Sequence, residues 1–247
     1  MSGFFYNFVV IIKNIKMADK YSLGRINSAS NLSKTDRQKE DFYATPSRMV
    51  DLLFKYYPEI KSEQYWEPCN GMGHISSVLE KYTRYVRKSD ILNRTNDTNI
   101  LDFLNFDINS DTLPEWLSNM IGKYDNQYLL HANIVTNPPY GKGNEFYEKA
   151  CSILAPNSQC AMFVKIQFLE TQKRYELFKK YPPKKVLICV NRVHCGKDGH
   201  FDNNTCSGGA ACYCWLIYQN GYTGPCTIDW INTNDDIEAY KKEHEEC

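Results

Sequence analysis

The chain has 247 residues, 43% of them hydrophobic and 14% aromatic, enough to fill one sizeable core and most simply a single α/β domain with arms. Lys plus Arg and Asp plus Glu each number 29, so the formal charge is zero; this speaks against tight, non-specific binding to a polyanion and leaves any basic patch local. The ten cysteines are scattered, and with no secretory signal they read as reduced thiols of a cytoplasmic protein.

Phe4-Phe5-Tyr6-Asn7-Phe8-Val9-Val10-Ile11-Ile12 is apolar, but no basic residue precedes it and it is far short of the ~20 residues that span a bilayer. No membrane partner is expected. Met17 reads as a natural start, with residues 1–16 an upstream extension. Residues 17–40 are polar, keep no period and read as an arm. Structure is expected from Asp41-Phe42-Tyr43-Ala44-Thr45-Pro46. There a proline after Thr45 starts an amphipathic helix over 47–57, with Met49, Val50, Leu52, Leu53 and Tyr56 on one side.

Tyr65-Trp66-Glu67-Pro68 predicts a short strand, Cys69-Asn70-Gly71-Met72-Gly73 a glycine turn, and Ile75, Val78 and Leu79 the apolar face of a following helix. That order opens a nucleotide-binding βαβ unit, whose turn aims backbone N–H groups at a ligand. The acid expected about 20 positions on is Asp90, in Ser89-Asp90-Ile91, closing a strand around 85–91; its carboxylate suits the ribose hydroxyls of an adenosine. The segment 92–128 is mostly polar. Within it Asp102, in Leu101-Asp102-Phe103-Leu104, reads either as an adenine-edge contact or as a helix cap.

Ile134-Val135-Thr136 is a buried strand that runs into Asn137-Pro138-Pro139-Tyr140. Two prolines neither extend a ladder nor start a helix, so the chain leaves the sheet as a stiff loop at the strand's carboxyl end, where open α/β sheets bind ligands. An amide, two carbonyl-bearing prolines and a ring are displayed together there. The Asn137 oxygen and a proline carbonyl accept from an exocyclic amino group while Tyr140 stacks on the heterocycle; the bland alternative is a rigid turn beside a packed tyrosine. Further on, helices are expected over 145–154 and 171–181. Strands are expected over 160–165, 185–191 and 211–218, the last two flanking a polar loop over 192–209. The charged tail over 234–247 reads as a solvated helix.

In that loop Arg192, Lys197 and His200 either contact phosphates or simply face solvent. Cys195, His200, Cys206, Cys212 and Cys214 match no paired Cys-x2-Cys spacing, so no metal is expected.

Taken in order, Phe42-x-x-Thr45-Pro46, Glu67-Pro68-x-x-Gly71-x-Gly73, Ser89-Asp90-Ile91, Asp102-Phe103 and Asn137-Pro138-Pro139-Tyr140 resemble the amino-group DNA methyltransferases, within them the N6-adenine type and its small orphan enzymes of phages and bacteria. The likeness covers about 41–232, leaving an arm over 1–40 and a tail over 233–247. It implies a class I Rossmann-like fold, a seven-stranded, mostly parallel sheet with an antiparallel terminal hairpin. It also implies S-adenosyl-L-methionine as cofactor and double-stranded DNA as substrate. On this resemblance Tyr43, Thr45 and Pro46 border the methionine end of the cofactor and Glu67, Gly71 and Gly73 lie under methionine and ribose. Asp90 and Ile91 stand at the ribose, and Asp102 and Phe103 against the adenine.

Transfer to N6 needs no covalent nucleophile, only alignment at about 3–3.5 Å from the methyl and acceptors for the amino protons, here Asn137 and the Pro138 carbonyl. Extruding the base costs a few kcal/mol, of which stacking on Tyr140 returns about 1–3 kcal/mol. Phe168, beyond a strand end, reads as the second wall or as a core ring. No separate target-recognition domain fits, so sequence choice falls to residues 17–40, 92–130 and 192–209. A reader this small predicts a short target, loose specificity or help from the second copy in a homodimer. The alternatives are adenine-N6 transfer to RNA, transfer to a glutamine side chain of a protein, or an inactive cofactor-binding module that associates with nucleic acid.

Overall fold

The computed structural model describes residues 43–197 and 211–235, all within the unit Phe42–Cys247. The arm, residues 198–210 with His200 and Cys206, and the tail from 236 onward lie outside the described residues. Strand β1 (Tyr43–Ala44) leads through Thr45 and Pro46 into helix α1 (Ser47–Tyr56). Next come β2 (Gln64–Glu67), the glycine turn, α2 (Ser76–Leu79), β3 (Tyr85–Asp90) and β4 (Asn99–Ile100). Helix α3 (Glu115–Ser118) precedes the hairpin β5 (Ile121–Tyr124) and β6 (Gln127–Leu130), then β7 (Asn133–Thr136). A 3-10 turn (Tyr140–Lys142) enters α4 (Gly143–Ile153), followed by β8 (Gln159–Lys165) and α5 (Gln172–Lys180). The described chain ends with β9 (Lys185–Cys189), β10 (Gly196–Lys197), β11 (Tyr213–Gln219) and β12 (Thr227–Ile231).

The main sheet has the order β12-β9-β11-β8-β7-β2-β3-β4. Every neighbouring pair is parallel except those of β11, which runs antiparallel to both β8 and β9. From β2 the chain winds outward through β3 to β4, and from β7 it winds the other way to β8. The winding therefore reverses between β2 and β7, and the loops leaving those two strands share the crevice where open α/β sheets bind ligands.

Alternation along the strands explains why both faces are covered. In β8, Ala161 and Phe163 face one core while Met162 and Val164 face the other; in β11, Trp215 and Ile217 oppose Cys214 and Leu216. Helix α1 closes the first core with Met49, Val50, Leu52, Leu53 and Phe54, all wholly buried, each contributing about 1.5–3 kcal/mol before entropy is counted. Its backbone is tied to the sheet, because Trp215 Nε1 donates to the Met49 carbonyl at 3.0 Å. Helix α4 closes the second core with Phe146, Tyr147, Ala150 and Ile153.

Three features go beyond what the sequence patterns indicate. The antiparallel hairpin β9–β11 is present, but it does not end the sheet: β12 adds an eighth strand at the edge, parallel to β9. Four of its five residues are exposed, Ile228 and Trp230 among them, although Thr227-Ile228-Asp229-Trp230 alternates polar and apolar as a strand does. The helix after the glycine turn is a single turn, continued by bonds such as Thr83 N–H to the Leu79 carbonyl at 3.2 Å. The polar segment 92–128 holds a short strand, a one-turn helix and most of a hairpin. That hairpin leads directly into the amino end of β7, so its base lies at the sheet edge opposite the Asn137 loop.

Candidate active site

The first half of the site is the turn leaving β2. Gly71 and Gly73 have φ of 53° and 81°, left-handed values that a side chain would oppose. Gly71 N–H donates to Asp90 Oδ2 at 2.8 Å, while Asp90 Oδ1 accepts from Leu92 N–H at 3.0 Å and Arg94 Nη1 at 3.1 Å. A carboxylate offers about four acceptor positions; three are taken in holding the turn against β3. Asn70 is the hub of this corner. Its Nδ2 donates to Thr98, its Oδ1 accepts from Ser76 at 2.6 Å, and its N–H reaches the Ser89 carbonyl at 2.9 Å. Around Asp90 the apolar side chains of Met72, Ile91 and Leu92 are exposed, Ile91 by 63%.

Glu67, at the end of β2, is 1% exposed, and its Oε2 has no hydrogen-bond partner among the described residues. Burial pushes its carboxyl well above the ordinary range; the Ser76 N–H pulls the other way and the charge of Asp90 adds to the rise. Next to it the Cys69 thiol lies against the Thr136 hydroxyl at the end of β7, bringing the turn up to the strand that carries the second half. Asp102 uses its carboxylate locally, accepting from Leu104 N–H at 3.0 Å and Asn105 Nδ2 at 2.7 Å, which is the turn-capping arrangement. Phe103 is 2% exposed, stacked on Phe146 and edge-on to Trp66.

The second half is the loop leaving β7. Asn137 Nδ2 donates to the Tyr43 carbonyl at 2.8 Å, which turns the amide so that Oδ1, itself buried, is left without a partner among the described residues. Pro138 is buried, and the Pro139 carbonyl accepts from Lys142 N–H at 2.9 Å. The half-buried Tyr140 ring stacks on Tyr43, centroids 5.2 Å apart and 21° between planes. Its hydroxyl shares a 2.7 Å hydrogen bond with that of Tyr213, and burial keeps both phenols protonated. Lys165, closing β8, holds its Nζ 4.2 Å from the Tyr140 ring centre. Thr45 is 2% exposed with its hydroxyl unpartnered among the described residues, and Pro46 caps α1. Ser47 Oγ donates to the His74 carbonyl at 3.0 Å, tying this segment to the glycine turn.

Phe168, Arg192 and Lys197 are expected at the site as well. Phe168 is 6% exposed in the second core, with the Arg174 guanidinium 4.3 Å over its ring. It packs against Gly143, where an added Cβ would come within 2.7 Å of the ring, so it supports the start of α4. Arg192 is exposed after β9, at the same sheet edge as the Asn137 loop. The backbone of Lys197 pairs with Tyr43 in the small β1–β10 sheet. Lys165, Tyr213 and Cys195 were not anticipated at the site. The available signal was a lone lysine ending an apolar strand at the ligand-binding edge, opposite a tyrosine starting the antiparallel one. Among the described residues no group of three His, Cys, Asp or Glu is placed to hold a metal, and no helix is long and apolar enough to cross a membrane.

No family model and no curated protein matches this sequence. Solved structures match in shape. A putative class I S-adenosylmethionine-dependent methyltransferase from Listeria monocytogenes aligns with a TM-score of 0.52 at 10% identity, over 86% of this chain and 73% of that one. The M protein of the type I restriction enzyme EcoKI aligns with a TM-score of 0.51 at 12% identity, over 75% of this chain and 45% of that one. The fold is that of the class I methyltransferases. In this class I fold the glycine turn and the Asn137 loop flank the reversal of winding. Among the described residues, buried side-chain oxygens on Thr45, Glu67, Thr136 and Asn137 have no hydrogen-bond partner, and all four belong to segments that meet there. Buried polar groups left unpaired call for an explanation, and a ligand carrying amino groups supplies one for Glu67 and Asn137.

Proposed function

We propose that the protein is an S-adenosylmethionine-dependent DNA methyltransferase acting on adenine N6. The observation that carries this reading is the Asn137 amide. With its nitrogen held by the Tyr43 carbonyl, its oxygen is fixed as an acceptor beside the Tyr140 ring. An exocyclic amine of a flat heterocycle satisfies both groups at once. Bound over Gly71 and Gly73, S-adenosylmethionine supplies an electrophilic sulfonium methyl.

The residues of the chain do the rest. The turn offers backbone N–H groups and a close approach that side chains would block. Asp90 has an acceptor position left for a ribose hydroxyl, and Ile91 supplies an apolar wall. Glu67, with Thr45 and Pro46 nearby, suits a cationic amine at the methionine end. Asp102 and Phe103, at the same edge, suit the adenine end. Asn137 and the Pro138 carbonyl accept the N6 protons and hold the nitrogen in line, and Tyr140 stacks on the base. The Phe42-x-x-Thr45-Pro46 block ahead of the glycine turn favours DNA over RNA or a protein glutamine.

Tritiated methyl transfer from S-adenosylmethionine to unmethylated duplex DNA tests the proposal. The expected result is label in the DNA, lost in Asn137→Ala while calorimetry still detects cofactor binding. Label in tRNA, rRNA or protein alone would replace DNA as substrate, and binding without transfer to any of them would leave a cofactor-binding module.

A further inference from the structure

Lys165 has no assigned role, yet it stands at the centre of the acceptor half. The strand it closes is buried from Gln159 to Val164, and only the lysine emerges, at the carboxyl edge beside the β7 loop. Its ammonium lies over two rings, 4.2 Å from the centre of Tyr140 and 5.9 Å from that of Tyr43. Among the described residues no carboxylate pairs with it. Its other polar neighbour is the thiol of Cys195, which burial pushes up to about 11 despite the lysine's opposing charge. An amine held only by ring faces is bound by about 0.5–2 kcal/mol, and a phosphate oxygen makes a stronger, charge-assisted partner. The chain as a whole carries no net charge, so an ammonium with no carboxylate partner among the described residues weighs heavily in the field beside the acceptor loop.

A neutral base has no need of that cation. The backbone that delivers the base does, because an extruded nucleotide brings a phosphate on either side. A glutamine side chain presented by a peptide brings none. We infer that Lys165 is a phosphate-binding residue of the acceptor site: as the base takes the Tyr140 ring, the ammonium leaves that face on its flexible four-carbon stem and pairs with a phosphate flanking the same nucleotide. The acceptor is then a nucleotide within a polynucleotide. This rests on the acceptor reading of the Asn137 loop given above, and it specifies the substrate class for that site.

The test is steady-state methyl transfer to unmethylated duplex DNA over a series of KCl concentrations, for the wild type, Lys165→Gln and Lys165→Arg. In Lys165→Gln the KM for DNA is expected to rise about tenfold with kcat within about twofold, and the slope of log KM against log salt to fall by about 1. Lys165→Arg restores most of the affinity, and calorimetric cofactor binding is the same in all three. An unchanged KM and salt slope in Lys165→Gln overturns the inference. So does a fall in kcat alone that arginine does not rescue, the mark of a packing role. In both cases DNA is still methylated by the wild type, so the function proposed above stands. A wild type that binds cofactor but labels no DNA overturns both.

Discussion

In the proposed function Asn137 is an acceptor because of what happens at its other end. An amide free to rotate presents oxygen or nitrogen equally; the Tyr43 carbonyl, 2.8 Å from Nδ2, removes that choice. Asn137→Asp is therefore more disruptive than its size suggests, since a carboxylate oxygen would face that carbonyl, and transfer assays should find it as inactive as Asn137→Ala. Tyr140 separates into ring and hydroxyl. Tyr140→Phe keeps the stacking surface and loses the bond to Tyr213. It should cost about 0.5–1.5 kcal/mol in urea denaturation while keeping transfer within a few-fold, whereas Tyr140→Ala abolishes it. Glu67 makes a pH prediction. Its carboxyl sits well above 4.5 in the folded protein because it is buried, so the folded state binds that proton more tightly than the unfolded chain. The resulting stability is complete below the ordinary value and is lost as pH rises through the raised one. Glu67→Gln escapes that loss. Its Tm should exceed the wild-type value near neutrality and the difference should close by about pH 4, as followed by thermal melts across pH.

The glycine turn is the element on which the donor half depends. Gly71 combines φ of 53° with an N–H committed to Asp90. Gly71→Ala should destabilise by about 1–2 kcal/mol and weaken cofactor binding measured by calorimetry, because the strained residue also holds the carboxylate. Asn70→Ala removes the side chain that pins this turn to Ser76 and Thr98, while the backbone bond to the Ser89 carbonyl of β3 remains. Leaving those partners unpaired should cost roughly 1–3 kcal/mol, read by denaturant unfolding. This corner was legible beforehand, since strand, spaced glycines and a later acid are local patterns. The hairpin β5–β6 was not. Its turn relies on Asp125 at φ 52°, a residue ordinary in any polar run, and its tyrosines 124 and 128 are exposed. Lys165 was passed over for a similar reason: a lysine ending a strand looks like a solvated terminus until the rings from β1 and the β7 loop are seen beneath it. Phe168 shows the converse, an aromatic placed just beyond a strand end whose surroundings, Gly143 and Arg174, come from elsewhere in the chain.

At the scale of the molecule, the reversal of winding between β2 and β7 turns two distant sequence motifs into neighbours. Continuous apolar runs made the inner strands readable, because a strand buried on both faces declares itself; β12, a five-residue edge strand exposed on four positions, has no such run. On the function proposed above, the reversal brings together the turn after β2 for the donor and the loop after β7 for the acceptor. The most direct check of that pairing is nucleoside analysis of DNA from cells expressing the wild type or Asn137→Ala, digested and resolved by mass spectrometry. The wild type should introduce N6-methyladenine and the variant none. Unmodified adenine in both, or equal N6-methyladenine in both, would contradict the account.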